Sequence, residues 1–184
     1  MHPDLTDSLR AARSLLGYEL VHQTPESVTA GIIVETEAYD MHDPASHSFG
    51  GVRRRNAPMY QAAGTVYVYL IYGIHYCVNI VTGPEGHGQA VLIRALQPTQ
   101  GIPLMQVRRR AQTAQNLTNG PAKAAQALGI TAALNGSTLG GGPLSIRPGV
   151  AVDEIVETTR VGISRAVDKP WRFYIRDNPY VSRF

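Results

Sequence analysis

Between Thr65 and Leu96 the chain reads "TVYVYLIYG", "YCVNIV" and "GQAVLIRAL", three segments dense in β-branched and aromatic residues. Gly73-Ile74-His75 joins the first two and "TGPEGHG" the last two. Connections that short hold no crossover helix, so consecutive strands must run in opposite directions. The region predicts an antiparallel meander, and any fold for this chain has to contain it.

Upstream, "SVTAGIIVETEAY" (Ser27 to Tyr39) is rich in Val, Ile and Thr and predicts another strand. "DLTDSLRAARSLLGYEL" reads as a helix, with Thr6 or Asp7 as N-cap, Leu9, Ala12, Leu15 and Leu16 on one stripe, and Gly17 as its stop. "DMHDPASHSFGGVRRRNAP" has the polar and turn-forming residues of a long loop, and long ordered loops are often functional. Downstream, "GIPLMQVRRRAQ" and "GPAKAAQALGI" have helical composition, the second entered through Gly120-Pro121. "LNGSTLGGGP" is a loop, and "PWRFYIRDNPYVSRF" supplies a short strand and an aromatic, basic tail. No repeat or linker divides the 184 residues, and 43% hydrophobic content suffices for one core.

Several kinds of chemistry drop out. No segment approaches the ~20 apolar residues of a membrane span, and "MHPDLTDSLR" lacks the basic start and apolar run of a secretory signal, so a soluble, cytosolic chain is expected. The single cysteine, Cys77 in "YCVNIV", excludes a disulfide framework or a paired-cysteine zinc site and reads as a buried thiol. Neither a glycine-rich phosphate loop nor Gly-x-Ser-x-Gly is present. The net charge of +3 is modest, but Arg53-Arg54-Arg55 and Arg108-Arg109-Arg110 are clusters that either meet phosphates or form solvated surface.

Reactive side chains concentrate in "VETEAYDMHDPASH", Val34 to His47. Strand alternation puts Glu35, Glu37 and Tyr39 on one face and Thr36 and Ala38 on the other. Two carboxylates that close make either a general acid or base or a solvated sheet edge. Arg94, in "LIRAL" where an apolar residue is expected, needs a carboxylate partner, and these glutamates are candidates. Tyr67 and Tyr69 share a face. Tyr72, of opposite parity and next to Gly73, is either a wedge between DNA bases or a ring folded over its own hairpin. Asn79 either bonds a substrate edge or satisfies buried backbone. His42, Asp43 and His47 match no compact ligand spacing, so no metal is expected.

Taken together and in order, "IVETEAY", "AGTVYVYLIYGIHYCVNI", "LIRALQP", "NGPAKAAQALGI" and "VGISRAVDKPWRFYIRDNPYVS" resemble the alkyladenine (3-methyladenine) DNA glycosylases, from about Leu5 to Ser182. The resemblance implies an α+β fold, a single domain over 1–184 around a curved antiparallel β-sheet with peripheral helices and a protruding DNA-binding β-hairpin. It implies hydrolysis of the N-glycosidic bond of alkylated purines such as 3-methyladenine and 7-methylguanine, and of deaminated or etheno purines, without a lyase step or a cofactor. Glu37 resembles the base that activates water and Arg94 its support. Tyr39, His47 and Tyr69 resemble walls of the base pocket, Asn79 the residue that polices the purine edge, and Tyr72 the wedge that replaces the flipped nucleotide. Glu35 is left with a structural role. Arg53, Arg54, Arg55, Ile74 and His75 correspond to DNA contacts, although "GGVRRRNAPMY" and the hairpin turn differ from vertebrate members, and Gln97 stands where some members carry Glu.

The implied partner is duplex DNA containing damaged purines, met by a monomer with no membrane involvement. The start of the sequence fits a minimal bacterial version in the cytoplasm, at the nucleoid. With no acid evident beyond the pocket histidine, charged lesions should react faster than neutral ones. Two other readings are a silent nucleic-acid-binding module, which needs Tyr72 but not Glu37, and a metal-dependent hydrolase using His42, Asp43 and His47.

Overall fold

The computed structural model describes residues 2–110 and 113–182. Its helices are α1 (Ser8–Ser14), α2 (Ile102–Arg109) and α3 (Pro121–Leu128). Its strands are β1 (Glu19–Gln23), β2 (Val28–Tyr39), β3 (Val66–Ile71), β4 (His75–Val81), β5 (Ala90–Gln100), β6 (Leu144–Arg147), β7 (Ile155–Thr158) and β8 (Arg172–Ile175). The meander forms as β3-β4-β5, and the sheet continues through β2 and β1 to β6, with β8 pairing with both β2 and β7. All pairings are antiparallel. This is the expected α+β fold around a curved antiparallel sheet.

The central strand β2 explains why its sequence is apolar for so long. β5 covers one edge, while the other is shared between β1, along Val28–Ile32, and β8, along Glu35–Glu37. With both edges and both faces occupied, Thr29–Ala38 is buried without a break. The main core lies on the helix side, where Ile33, Ala38, Ile93 and Leu96 meet residues of α1 and α3. Ile32, Val34 and Ala95 pack on the opposite face with Ile175, Tyr180 and Val181.

The β2–β5 register slips near Ala30 and again, beside the glutamates, at Val34 and Arg94. In the β2–β5 register Ile33 pairs with Leu96, Glu35 with Ala95 and Thr36 with Ile93, which leaves Val34 on β2 and Arg94 on β5 each without an opposite number. Two extra residues, one per strand, form compensating bulges. A bulge re-aims a side chain and sharpens local twist. Here it puts Glu35 beside Val34 on the face away from the helices, and it frees Arg94 to point at both glutamates.

Two expectations need correction, and three strands, β1, β6 and β7, were not foreseen. The first helix starts at the expected Asp7 cap, whose carboxylate accepts from the Arg10 N–H at 2.8 Å, but it ends at Ser14, short of the stop expected at Gly17. Gly17 has φ +83°, and a Cβ there would fall 2.4 Å from the Val150 carbonyl oxygen, so the chain turns sharply and Glu19–Gln23 is taken up at the open edge of β2. β6 and β7, four residues each, carry too short a pattern to be seen in sequence. Arg108 and Arg109 are not a free basic patch: Arg108 Nη1 donates to the Ala127 carbonyl at 3.0 Å and Arg109 Nε to that of Leu117 at 3.1 Å. The end of that predicted helix, Ala111-Gln112, lies outside the described residues. No helix among the described residues is long and apolar enough to cross a membrane.

Candidate active site

Glu35 and Glu37 are both wholly buried, which removes the solvated-edge reading. Buried carboxylates stay ionised only beside cations and donors. Arg94 Nε donates to Glu35 Oε1 at 3.1 Å, and its Nη1 lies 3.4 Å from Glu37 Oε1. Arg172 of β8 adds a second guanidinium, its Nε 2.6 Å from Glu35 Oε1. Ser182 donates twice to Glu35, from its backbone N–H at 2.8 Å and its hydroxyl at 2.9 Å. Glu35 therefore ties β2, β5, β8 and the segment after β8 into one charge-balanced cluster.

Glu37 has fewer donors. The Val161 N–H donates to Oε1 at 2.8 Å and the Tyr39 hydroxyl to Oε2 at 2.8 Å. Burial pushes its carboxyl above the ordinary glutamate value, outweighing the opposing pull of Arg94, the Val161 N–H and Tyr39. Two carboxylates on one strand face thus sit in unlike settings, an arrangement that in enzymes divides structural from reactive roles.

Tyr39, His47, Tyr69 and Asn79 all line one cavity of about 380 Å³, together with Tyr67, Arg55 and Tyr72. The Tyr67 and Tyr69 rings stack at 5.6 Å, and His47 meets Tyr69 edge-on at 4.5 Å. Arg55 Nη2 lies 3.0 Å from His47 Nε2, and because a guanidinium only donates, Nε2 must be the acceptor and Nδ1 carries the hydrogen. That Nδ1–H faces the Tyr67 hydroxyl at 3.0 Å. Burial, then the charge of Arg55, pulls the imidazole down to about 4, so it is neutral at pH 7. Burial, then the charge of Glu37, drives the Tyr39 phenol far upward, fixing it as a hydrogen-bond donor. Asn79 is anchored by its Nδ2, which donates to the Tyr67 carbonyl at 3.1 Å.

At the β3–β4 turn, Ile74 N–H donates to the Ile71 carbonyl at 3.3 Å, with Tyr72 and Gly73 between them at φ +53° and +72°. Positive φ at both central residues matches the right-handed twist of a hairpin, but a bulky residue rarely adopts it. Tyr72 is 86% exposed and Ile74 72%, so neither ring nor chain folds back. His75 begins β4, half-buried. Arg53 and Arg54 are exposed, and Arg53 and Arg55 line an adjoining cavity of about 480 Å³ with Arg165.

The set His42, Asp43 and His47 is dispersed. Asp43 is buried against Arg160, His47 is in the cleft, and His42 meets His87. Arg160 was missed by sequence reasoning. It bonds Asp43, donates to the Ala38 carbonyl at 2.9 Å, and lies 4.6 Å from the Tyr39 ring centroid, which pins the 160s loop beside Glu37. Val161, Gly162, Arg172 and Ser182 were missed as well. The only signal was the density of motif in "VGISRAVDKPWRFYIRDNPYVS", which gives no pairing.

The sequence model of the methylpurine-DNA glycosylase family matches residues 4–179. A protein of Methanoculleus marisnigri named "Putative 3-methyladenine DNA glycosylase" is 52% identical over 182 residues, covering 96% of this chain and 94% of its own. Proteins of the same name from Carboxydothermus hydrogenoformans and Francisella tularensis subsp. tularensis are 46% and 47% identical, each over 96% of this chain and 94% of its own.

Proposed function

Since the chain belongs to the methylpurine-DNA glycosylase family, we propose that it is a monofunctional DNA glycosylase that flips alkylated purines out of duplex DNA and hydrolyses their N-glycosidic bond with a water activated by Glu37. The observation that carries this reading is the pairing of a buried carboxyl of raised proton affinity with an aromatic cleft and an exposed hairpin-tip tyrosine.

A glycosidic bond inside a duplex is out of reach, so the nucleotide must be extruded, and Tyr72 fills the space it leaves. Leu70 and Ile74, also exposed, extend the apolar tip into the minor groove, with His75 beside them. Exposed Arg53 and Arg54, with Arg165, take the phosphates. Arg55 serves instead to hold His47. In the cleft a purine made cationic by alkylation stacks between tyrosine faces, which is worth about 1–2 kcal/mol over a neutral base. Asn79 limits the groups accepted at the purine edge.

Glu37 then accepts a proton from the water whose oxygen bonds to the sugar C1′. The C1′–N bond breaks and its electron pair neutralises the cationic purine. The ionised carboxylate also stabilises the developing oxocarbenium charge. Arg94 is a positioning residue, aiming Glu37 and moderating its proton affinity. A neutral His47 is a poor acid at pH 7, so hypoxanthine and etheno lesions, whose departure needs protonation, react more slowly. One chain supplies wedge, cleft and carboxylate, so it works as a monomer.

The test is single-turnover release of 7-methylguanine from labelled duplex by the parent and by Glu37→Gln, both in chelator. Release by the parent and a loss of roughly 100-fold or more in the variant, with lesion binding kept, is the expected result. Binding by both with release by neither would overturn it.

A further inference from the structure

Asp40, His42 and His87 converge outside the cleft. Asp40 and His42 follow the end of β2, and His87 sits between β4 and β5, yet one ligand atom from each lies within 4.8 Å of the others. His87 Nε2 is 3.1 Å from Asp40 Oδ2, and the two imidazoles meet edge to face at 5.8 Å. His42 is exposed, while Asp40 and His87 are half-buried.

The backbone beneath all three is already fixed. Asp43 N–H donates to the Asp40 carbonyl at 3.0 Å, closing the turn that bears His42, and Asp43 itself is locked to Arg160. The His42 N–H donates to Asp40 Oδ1 at 2.8 Å, which leaves Oδ2 facing the cluster. Across from it, Gly86 N–H donates to the Tyr60 carbonyl at 2.8 Å, and the Ser48 hydroxyl to that of Gly88 at 2.7 Å, one on each side of His87. A Cβ on Gly88 would fall 2.7 Å from the Tyr60 ring and 2.8 Å from Ser48, so this approach needs glycine.

We propose that Asp40, His42 and His87 form a binding site for a divalent transition metal of the zinc class. Two imidazole nitrogens and one carboxylate oxygen suit such ions, whereas magnesium and calcium favour oxygen donors throughout. With metal–ligand bonds of about 2 Å, a tetrahedral site spaces its ligand atoms about 3.3 Å apart. The His87 Nε2–Asp40 Oδ2 pair is already near that spacing at 3.1 Å, all three ligand atoms lie within 4.8 Å of one another, and the exposed side of His42 leaves a position for water. The bound ion replaces the His87–Asp40 hydrogen bond and clamps the loop leading to His47 onto the β4–β5 connection. No step of base release runs through it.

Zinc chloride titrated by calorimetry into the untagged, chelator-stripped chain is the test. The expected result is one saturable equivalent, weakened at least tenfold in His42→Ala and in His87→Ala, unchanged in His75→Ala, and not reproduced by magnesium chloride. Both imidazoles reach the surface, so neither substitution opens the core, and a melting curve without zinc checks this. Absence of saturable uptake, or equal uptake by the His42→Ala/His87→Ala double variant, would overturn the proposal. Base release in chelator stays a separate measurement, so the two readings fail independently.

Discussion

Glu35 and Glu37 differ by two positions in one strand and are equally buried, but one is saturated with donors and the other is not. Because the folded Glu37 carboxyl holds its proton more tightly than the unfolded one, its ionisation opposes folding. That penalty is absent below the ordinary value of 4.5 and complete above the raised folded value. Glu37→Gln, with Arg94 still paired to Glu35, should therefore melt at or above the parent at neutral pH while losing base release, a trade measurable by calorimetry beside the kinetic assay. The same shift sets a pH limit on catalysis. Rates on 7-methylguanine should fall with decreasing pH from a point above 4.5, as Glu37 takes up its proton, and a profile flat down to that value would contradict the base role. His47 supplies a contrast: carbon-detected NMR titration should find it neutral until the pH approaches about 4.

The paired bulges on β2 and β5 turn a regular ladder into a site, since they bring Arg94 under two carboxylates at once. Glu35→Ala should destabilise the fold by about 3–5 kcal/mol, read from urea unfolding, because Arg94 and Arg172 would be left in the interior without their shared counter-charge. At the hairpin, Tyr72→Gly should relieve roughly 1–2 kcal/mol of left-handed strain and yet slow base release at least tenfold, a split that separates wedge from scaffold. Much at this level was legible in the sequence. Simple alternation placed Glu35, Glu37 and Tyr39 together, and turn chemistry placed Tyr72 at a tip. The bulges were not legible, because an unpaired residue is defined by its partner strand. Nor were β1, hidden behind a helical stripe that Gly17 cuts short, or the Arg160 and Arg172 contacts, which depend on pairings more than a hundred residues apart.

For the whole molecule, a net charge of +3 is too small to draw DNA by itself, so affinity must come from where the arginines lie. Arg108 and Arg109 are spent on carbonyls inside the fold, while Arg53 and Arg54 remain exposed near the cleft. Replacing the latter two with Ala should weaken duplex binding alike for damaged and intact sequence and flatten the log–log salt dependence by about two units, whereas Arg108→Ala should alter stability and leave that slope alone. The cluster around Glu35 draws its last donors from Ser182, 147 positions further along the chain. On the ribosome, the sheet's central strand is therefore made long before the last of its hydrogen-bond donors emerges. A chain cut short within the final stretch would keep both guanidiniums against Glu35 yet leave Oε2 without its backbone donor in the middle of the sheet, so the last few residues made should count for more in the melting temperature than their place at the edge of the sequence suggests.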